Sequence, residues 1–228
     1  MLMGWTRADI GSVAARRAEQ EDAWFNIGAD AVAVGYAEGI TGGTLIATDK
    51  GWRQVESLEV GDKVLTFDNG AQRIVDTHRA ELWQGQGTCP RMMWPLAVPP
   101  GVLGNRRAML LLPDQNVMIE SDQAEALFGD PFALVPAAAL EGFCGITRIC
   151  PHGAIDVISI RFAEDQVVYA NGASMVHCGS VRGLGLTLDF VIRAGSYLPL
   201  SLERAQMLVA RMVAELADYQ PDCQAAFA

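Results

Sequence analysis

From Gly43 to Arg79 apolar and polar positions alternate in short runs, GTLIAT, WRQVESL, VGDKVLTF and AQRIVDTHR, parted by the turn-forming DKG and DNG. A period of two sends successive side chains to opposite faces of a pleated strand, so this stretch predicts a β meander. Asn69-Gly70 marks a hairpin, because both residues tolerate the positive φ of a tight primed turn. Strand-like runs return at AMLLLP, NVMIES, IDVISIRF and QVVYANG, the last two placed to pair through the polar AED between them.

Helical spacing is confined to a few places. Ile10, Val13, Ala14 and Ala18, behind a Thr6 cap, predict one short amphipathic helix within residues 6–25. The following AVAVGYAEGITGG, with glycines at 35, 39, 42 and 43, reads as a strand and then a loop. SDQAEALFG gives a helical turn or two. Near the end Leu202, Ala205, Leu208, Val209, Met212, Val213 and Leu216 fall on one face of a helix capped by Ser201, expected to pack on the β core. Residues 81–107 carry Pro90, Pro95, Pro99 and Pro100, which cannot donate to a ladder, and predict a long surface excursion. The sum is a mainly β fold of many short antiparallel strands with flanking N- and C-terminal helices and, at 228 residues, a single sizeable core.

Composition narrows the partners. Hydrophobic residues make up 50% of the chain and charged ones 19%, enough apolar surface to offset the entropy of folding. Lys plus Arg number 17 against 27 Asp plus Glu, a formal charge of -10 that repels phosphate backbones, so nucleic acid is not an expected partner. No apolar run spans a bilayer, and Arg7 and Asp9 stand where a signal peptide would have its apolar core. A cytoplasmic location follows as the expectation, with secretion by a route lacking a classical signal left open. Cys89, Cys144, Cys150, Cys178 and Cys223 are odd in number and irregularly spaced, which favours reduced thiols. Cys144, Cys150 and His152 lie close together in FCGITRICPHG but lack paired C-x-x-C spacing, so packing is the plainer reading and zinc the weaker alternative. GLGL near residue 183 lacks the rest of a dinucleotide fingerprint, and no cofactor is expected.

Three segments, in order, carry a resemblance. GGTLIATDKGWRQVESLEVGDKVLTFDNG resembles the first block of Hint (hedgehog/intein) domains through Gly43, Thr44, Ile46, Thr48, Val55, Glu56, Leu58, Gly61, Asp62, Val64, Thr66 and Gly70. QVVYANGASMVHC resembles the closing block through Ala170, Asn171, Gly172, Val176 and His177, and LFGDPFALVPAAAL is similar to a signature of a bacterial branch. The resemblance covers roughly residues 39–178, leaving residues 1–38 and 179–228 as extensions. It implies an all-β autoprocessing fold, the fold of protein splicing and autoproteolysis, whose distant ends meet to build the site.

That chemistry needs a Cys or Ser attacking the peptide bond before it. The family spacing puts this position at Gly39, which has no side chain to attack with. Thr41, two positions on, offers a hydroxyl that is either a displaced nucleophile or an inert loop group. A middle-block His would act as general acid, and the resemblance puts Asn116 there, which cannot exchange a proton near neutral pH. The closing His is kept as His177, readable as a structural residue or a working acid or base, but Cys178 follows in place of the cyclising Asn. Cys178 is either a thiolate activated by His177 or a small buried hydrophobe. Asp156 resembles an Asp that supports cleavage in some members, and equally fits an exposed strand position. The implied protein is a degenerate Hint domain that has lost splicing and most or all self-cleavage and acts as a binding or structural module, with an unknown protein as the candidate partner. The alternative is a divergent self-cleaving domain using Cys178 and His177.

Overall fold

The computed structural model describes residues 38–83, 87–181 and 197–219, and the account below concerns the unit built from residues 35–83 and 89–228. The expected helix in 6–25 and the strand before Gly35 lie outside the described residues. The strands are β1 (Ile40–Thr41), β2 (Leu45–Thr48), β3 (Gly51–Gln54), β4 (Lys63–Thr66), β5 (Gly70–Arg73), β6 (Asp76–Glu81), β7 (Leu96–Val98), β8 (Met109–Leu111), β9 (Asn116–Glu120), β10 (Phe132–Pro136), β11 (Thr147–Arg148), β12 (Asp156–Arg161), β13 (Gln166–Ala170) and β14 (Ser174–Cys178). They form two antiparallel sheets. One has six strands in the order β11-β7-β8-β1-β12-β6; the other has eight, β10-β9-β14-β13-β2-β4-β5 with β3 on β2. The fold is mainly β, and the described helices are α1 (Asp122–Phe128) and α2 (Leu202–Tyr219).

The meander holds as two hairpins, β2 with β3 and β4 with β5, but β6 leaves it to pair with β12 in the other sheet. At the second hairpin only Gly70 takes positive φ (63°), and Thr66 pairs with Gly70 itself. The loop therefore has three residues rather than the expected primed pair. Two further expectations are corrected. IDVISIRF and QVVYANG do not pair: β12 lies between β1 and β6, while β13 lies against β14, β2 and β4. Residues 81–107 are not all surface excursion, since Leu96 and Val98 of β7 are buried between β8 and β11. Pro95 and Pro99 bracket that strand, so the prolines limit its length without forbidding it.

One core joins both sheets. Ile40, Leu96 and Ile158 from the first meet Ile46, Val64, Val168 and Val176 from the second. α1 begins at Ser121, whose hydroxyl accepts the Gln123 amide (3.1 Å), and ends at Gly129 in the left-handed region. α2 starts with the Arg204 amide 3.4 Å from Ser201 Oγ and buries Ala205, Leu208 and Val209. Its apolar stripe is narrower than the spacing suggested, because Leu202, Val213 and Leu216 remain exposed.

The motif residues have structural partners. Glu56 accepts the Gly43 amide (2.9 Å), and Asp62 accepts both Arg53 (2.8 Å) and the Glu59 amide (3.0 Å). Asn171, at φ 48°, accepts the Leu45 amide on its side chain (2.9 Å) and donates its own amide to the Leu45 carbonyl (2.8 Å). These bonds tie the closing block to the first block across 126 positions.

Candidate functional site

β1 sits in the first sheet between β8 and β12, and Gly39 stands at its entrance with φ 131°. Only glycine adopts that backbone freely. A Cβ there would lie 2.5 Å from Cγ1 of Val157, so the space beside Gly39 is already filled. Its amide donates to Oε1 of Gln115 (3.0 Å), and Gln115 Nε2 donates to the carbonyls of Asn116 (3.0 Å) and His177 (2.8 Å). Gln115 is 1% exposed and lies in the link from β8 to β9, so one buried side chain fastens the lead of β1 in one sheet to the end of β14 in the other. A buried amide of this kind is stable only when both of its ends are bonded, as here.

Asn116, one residue on, begins β9 opposite Pro136 and is half-buried. The polar side chain that reaches both Gly39 and His177 is therefore Gln115, which the sequence reading did not single out. A buried glutamine between two apolar strands was the available signal, but nothing local distinguishes it from a turn residue.

The His177 side chain is 10% exposed, and among the described residues neither ring nitrogen has a hydrogen-bond partner. Nε2 is 4.0 Å from Asp165 Oδ2, and the Tyr197 ring lies 6.0 Å away, edge on. Burial holds the imidazole below its ordinary pKa, with Asp165 opposing less strongly, so the ring is kept neutral. Cys178 is the next residue on β14 and faces the main core, where burial first and Glu38 second push its thiol up, away from thiolate. Neighbouring strand residues point to opposite faces, so the two side chains diverge.

Thr41 and Asp156 belong to the other end of β1. The Thr41 hydroxyl donates to the Leu110 carbonyl (3.0 Å) and lies 3.4 Å from that of Thr44. Asp156 pairs with Arg79 (2.6 Å) on the exposed side. With Gly43 and Glu56 they line a cleft of about 430 Å³. Sequence reasoning grouped Thr41 and Asp156 with His177; the structure places these two around the cleft, and Gly39, Gln115 and the His177 carbonyl around the other end of the strand.

A family model described as Hint domain matches residues 39–176, more than half of the chain. The chain belongs to the Hint domain family. Among solved structures, this Hint domain is similar to the bacterial intein-like domain from Clostridium thermocellum at 13% identity and a TM-score of 0.45, over 63% of this chain and 99% of that one. It is similar to the gp41-1 intein at 12% identity and a TM-score of 0.38, over 61% and 98%. No curated protein matches the chain.

The remaining candidates of this Hint domain do not converge. Cys144, at φ 44°, and Cys150 are exposed free thiols, and His152 is exposed as well. Among the described residues no group of three or more His, Cys, Asp or Glu is placed to hold a metal ion. None of the described helices is long and apolar enough to cross a membrane.

Proposed function

We propose that this Hint domain neither splices nor cleaves itself, and serves as a binding or structural module. The observation that carries the reading is the surroundings of Gly39, the position to which the family resemblance assigns the attacking group. It has no side chain, its backbone suits glycine, Val157 fills the adjoining space, and Gln115 holds its amide. Thr41 is a poor substitute, because its hydroxyl is committed to the Leu110 carbonyl and its own backbone is paired with Val157. The reading with Cys178 as nucleophile gains no support from the site, since a buried, unionised thiol on the face away from His177 lacks an activating base.

The test is the intact mass of freshly purified full-length protein, incubated with and without a strong thiol. A single species of full mass under both conditions is expected. Release of a fragment near residue 39 or residue 178 overturns the proposal, and its abolition in Cys178→Ala would then restore the self-cleaving alternative.

A further inference from the structure

We propose that the cleft beside β1 receives an extended peptide segment carrying a lysine or arginine, which adds as a short strand between β8 and β12. The proposal rests on reading the domain as a binding module, and it gives that module a partner chemistry and a place. β1 occupies the position between β8 and β12 for only two residues: Ile40 pairs with Leu111 and Ile158, and Thr41 with Val157. The Gly42 amide still reaches the Asp156 carbonyl (2.9 Å), after which the chain turns off towards β2. β8 and β12 end here at Met109 and Asp156, and beyond them Ala108 and Ala154, both exposed, line the cleft of about 430 Å³. That volume is within the usual range for ligand-binding clefts.

The edges of the cleft are backbone. In an antiparallel ladder every second residue turns its N–H and C=O towards the same neighbour. Leu110 and Asp156 direct their carbonyls inward, onto the Thr41 hydroxyl and the Gly42 amide, and the same alternation carried past the ends of β8 and β12 turns Ala108 and Ala154 inward. Neither has a backbone hydrogen-bond partner among the described residues. Free backbone groups that prolong a strand offer an added peptide strand its hydrogen bonds. The floor is open too: a Cβ on Gly43 would meet nothing within 4 Å.

Charge selects the side chain. Glu56 and Asp156 stand in the cleft wall, and among the described residues each has one carboxylate oxygen hydrogen-bonded, by the Gly43 amide and by Arg79 respectively, with Arg79 also within the field of Glu56. The Arg79–Asp156 pair is exposed, so an incoming cation can join or displace it at small cost. The formal charge of -10 draws the same kind of partner.

The test is a titration of the ¹⁵N-labelled full chain with the blocked pentapeptide acetyl-Thr-Val-Lys-Val-Thr-amide. The same peptide with Glu for Lys, and N-acetyl-lysine methylamide alone, serve as comparators. Saturable shifts centred on the amides of Gly43, Ala108 and Ala154 are expected, with binding weakened about tenfold by the Glu peptide and about tenfold in Glu56→Gln. Ala154→Pro, which strips one edge donor, should weaken it similarly and decides the matter if Glu56→Gln does not fold. No saturable shift at those amides overturns the proposal. So does equal affinity for the Glu peptide, equal affinity for the lysine derivative alone, or unchanged affinity in both variants. The intact mass of the same sample separates the two readings: a cleaved chain defeats the function proposed above, whereas an intact chain that ignores the peptide defeats only the cleft.

Discussion

The two ends of β1 differ in how their glycines are used. At Gly39 the chain enters the sheet through backbone closed to other residues, with Val157 2.5 Å from a hypothetical Cβ and the amide bonded to a buried glutamine. At Gly43, where the chain leaves the sheet, φ is also positive (81°), yet a Cβ would find empty space. Both glycines answer a backbone requirement, but only the first is packed shut. The end that the family resemblance assigns to chemistry is closed by packing and hydrogen bonds, and the open volume lies at the other end.

The largest effect should come from Gly39→Ala. The methyl group both overpacks against Val157 and holds an unfavourable φ, together about 3 to 5 kcal/mol of lost stability, read as the shift in urea unfolding. Adding Val157→Ala removes the atom in the way. The double variant should be less destabilised than the sum of the singles by about 2 to 3 kcal/mol, the rest of the Gly39→Ala cost being backbone strain. Simple additivity would mean that the space beside Gly39 is not filled as described.

Gln115→Leu should follow at about 2 to 3 kcal/mol, because it leaves the buried Gly39 amide without an acceptor and two carbonyls without their donor. Faster hydrogen exchange at the Gly39 amide, out of proportion to the global loss, is the local sign of that break. An unchanged unfolding midpoint would show that the glutamine is not what joins the sheets at this end.

A smaller effect depends on pH. The imidazole of His177 is held below its ordinary value of 6.5 by burial, so above that value it is neutral folded or unfolded and contributes no pH dependence. As pH falls below 6.5 the unfolded chain takes up the proton first and stability declines, until the folded imidazole is protonated as well. The carboxyls of Glu38 and Asp114, raised chiefly by burial, act in the opposite sense. The informative quantity is therefore the stability of wild type minus that of His177→Phe. That difference should be flat above 6.5 and fall below it; a rise on acidification would mean that Asp165 wins over burial.

How much of this could be read beforehand follows from the range of each interaction. The period-two runs correctly gave strands and hairpins, because facing is a local property of the backbone. Which sheet a strand joins is not local: β6 follows β5 directly yet pairs with β12, whose Asp156 lies opposite Glu81, and the AED link after β12 reads as a turn although Phe162 before it is buried in the core. The prolines around β7 suggest exclusion from a sheet, but they only set the length of the strand. At the site, Gly39 and His177 were legible through the resemblance, whereas Gln115 makes its deciding bonds to residues 76 and 62 positions away. Nothing in PDQN distinguishes that glutamine from the asparagine beside it, and the choice between them is made by the sheet-to-sheet crossing. The cleft is illegible for the same reason: in the sequence Glu56 is a motif residue and Asp156 a catalytic candidate, and they share a wall because β1 is short.

The smallest effect sharpens the contrast between the two glycines. Gly43→Ala keeps the backbone demand of a positive φ but adds a methyl group to open space, so it should cost about 1 to 2 kcal/mol, the strain of a left-handed residue alone. Subtracting this from the cost of Gly39→Ala isolates the packing contribution of Val157, and the difference should match the coupling measured with Val157→Ala. If Gly43→Ala instead costs as much as Gly39→Ala, backbone strain governs both positions, and the filled space beside Gly39 no longer explains why an attacking side chain has no place there.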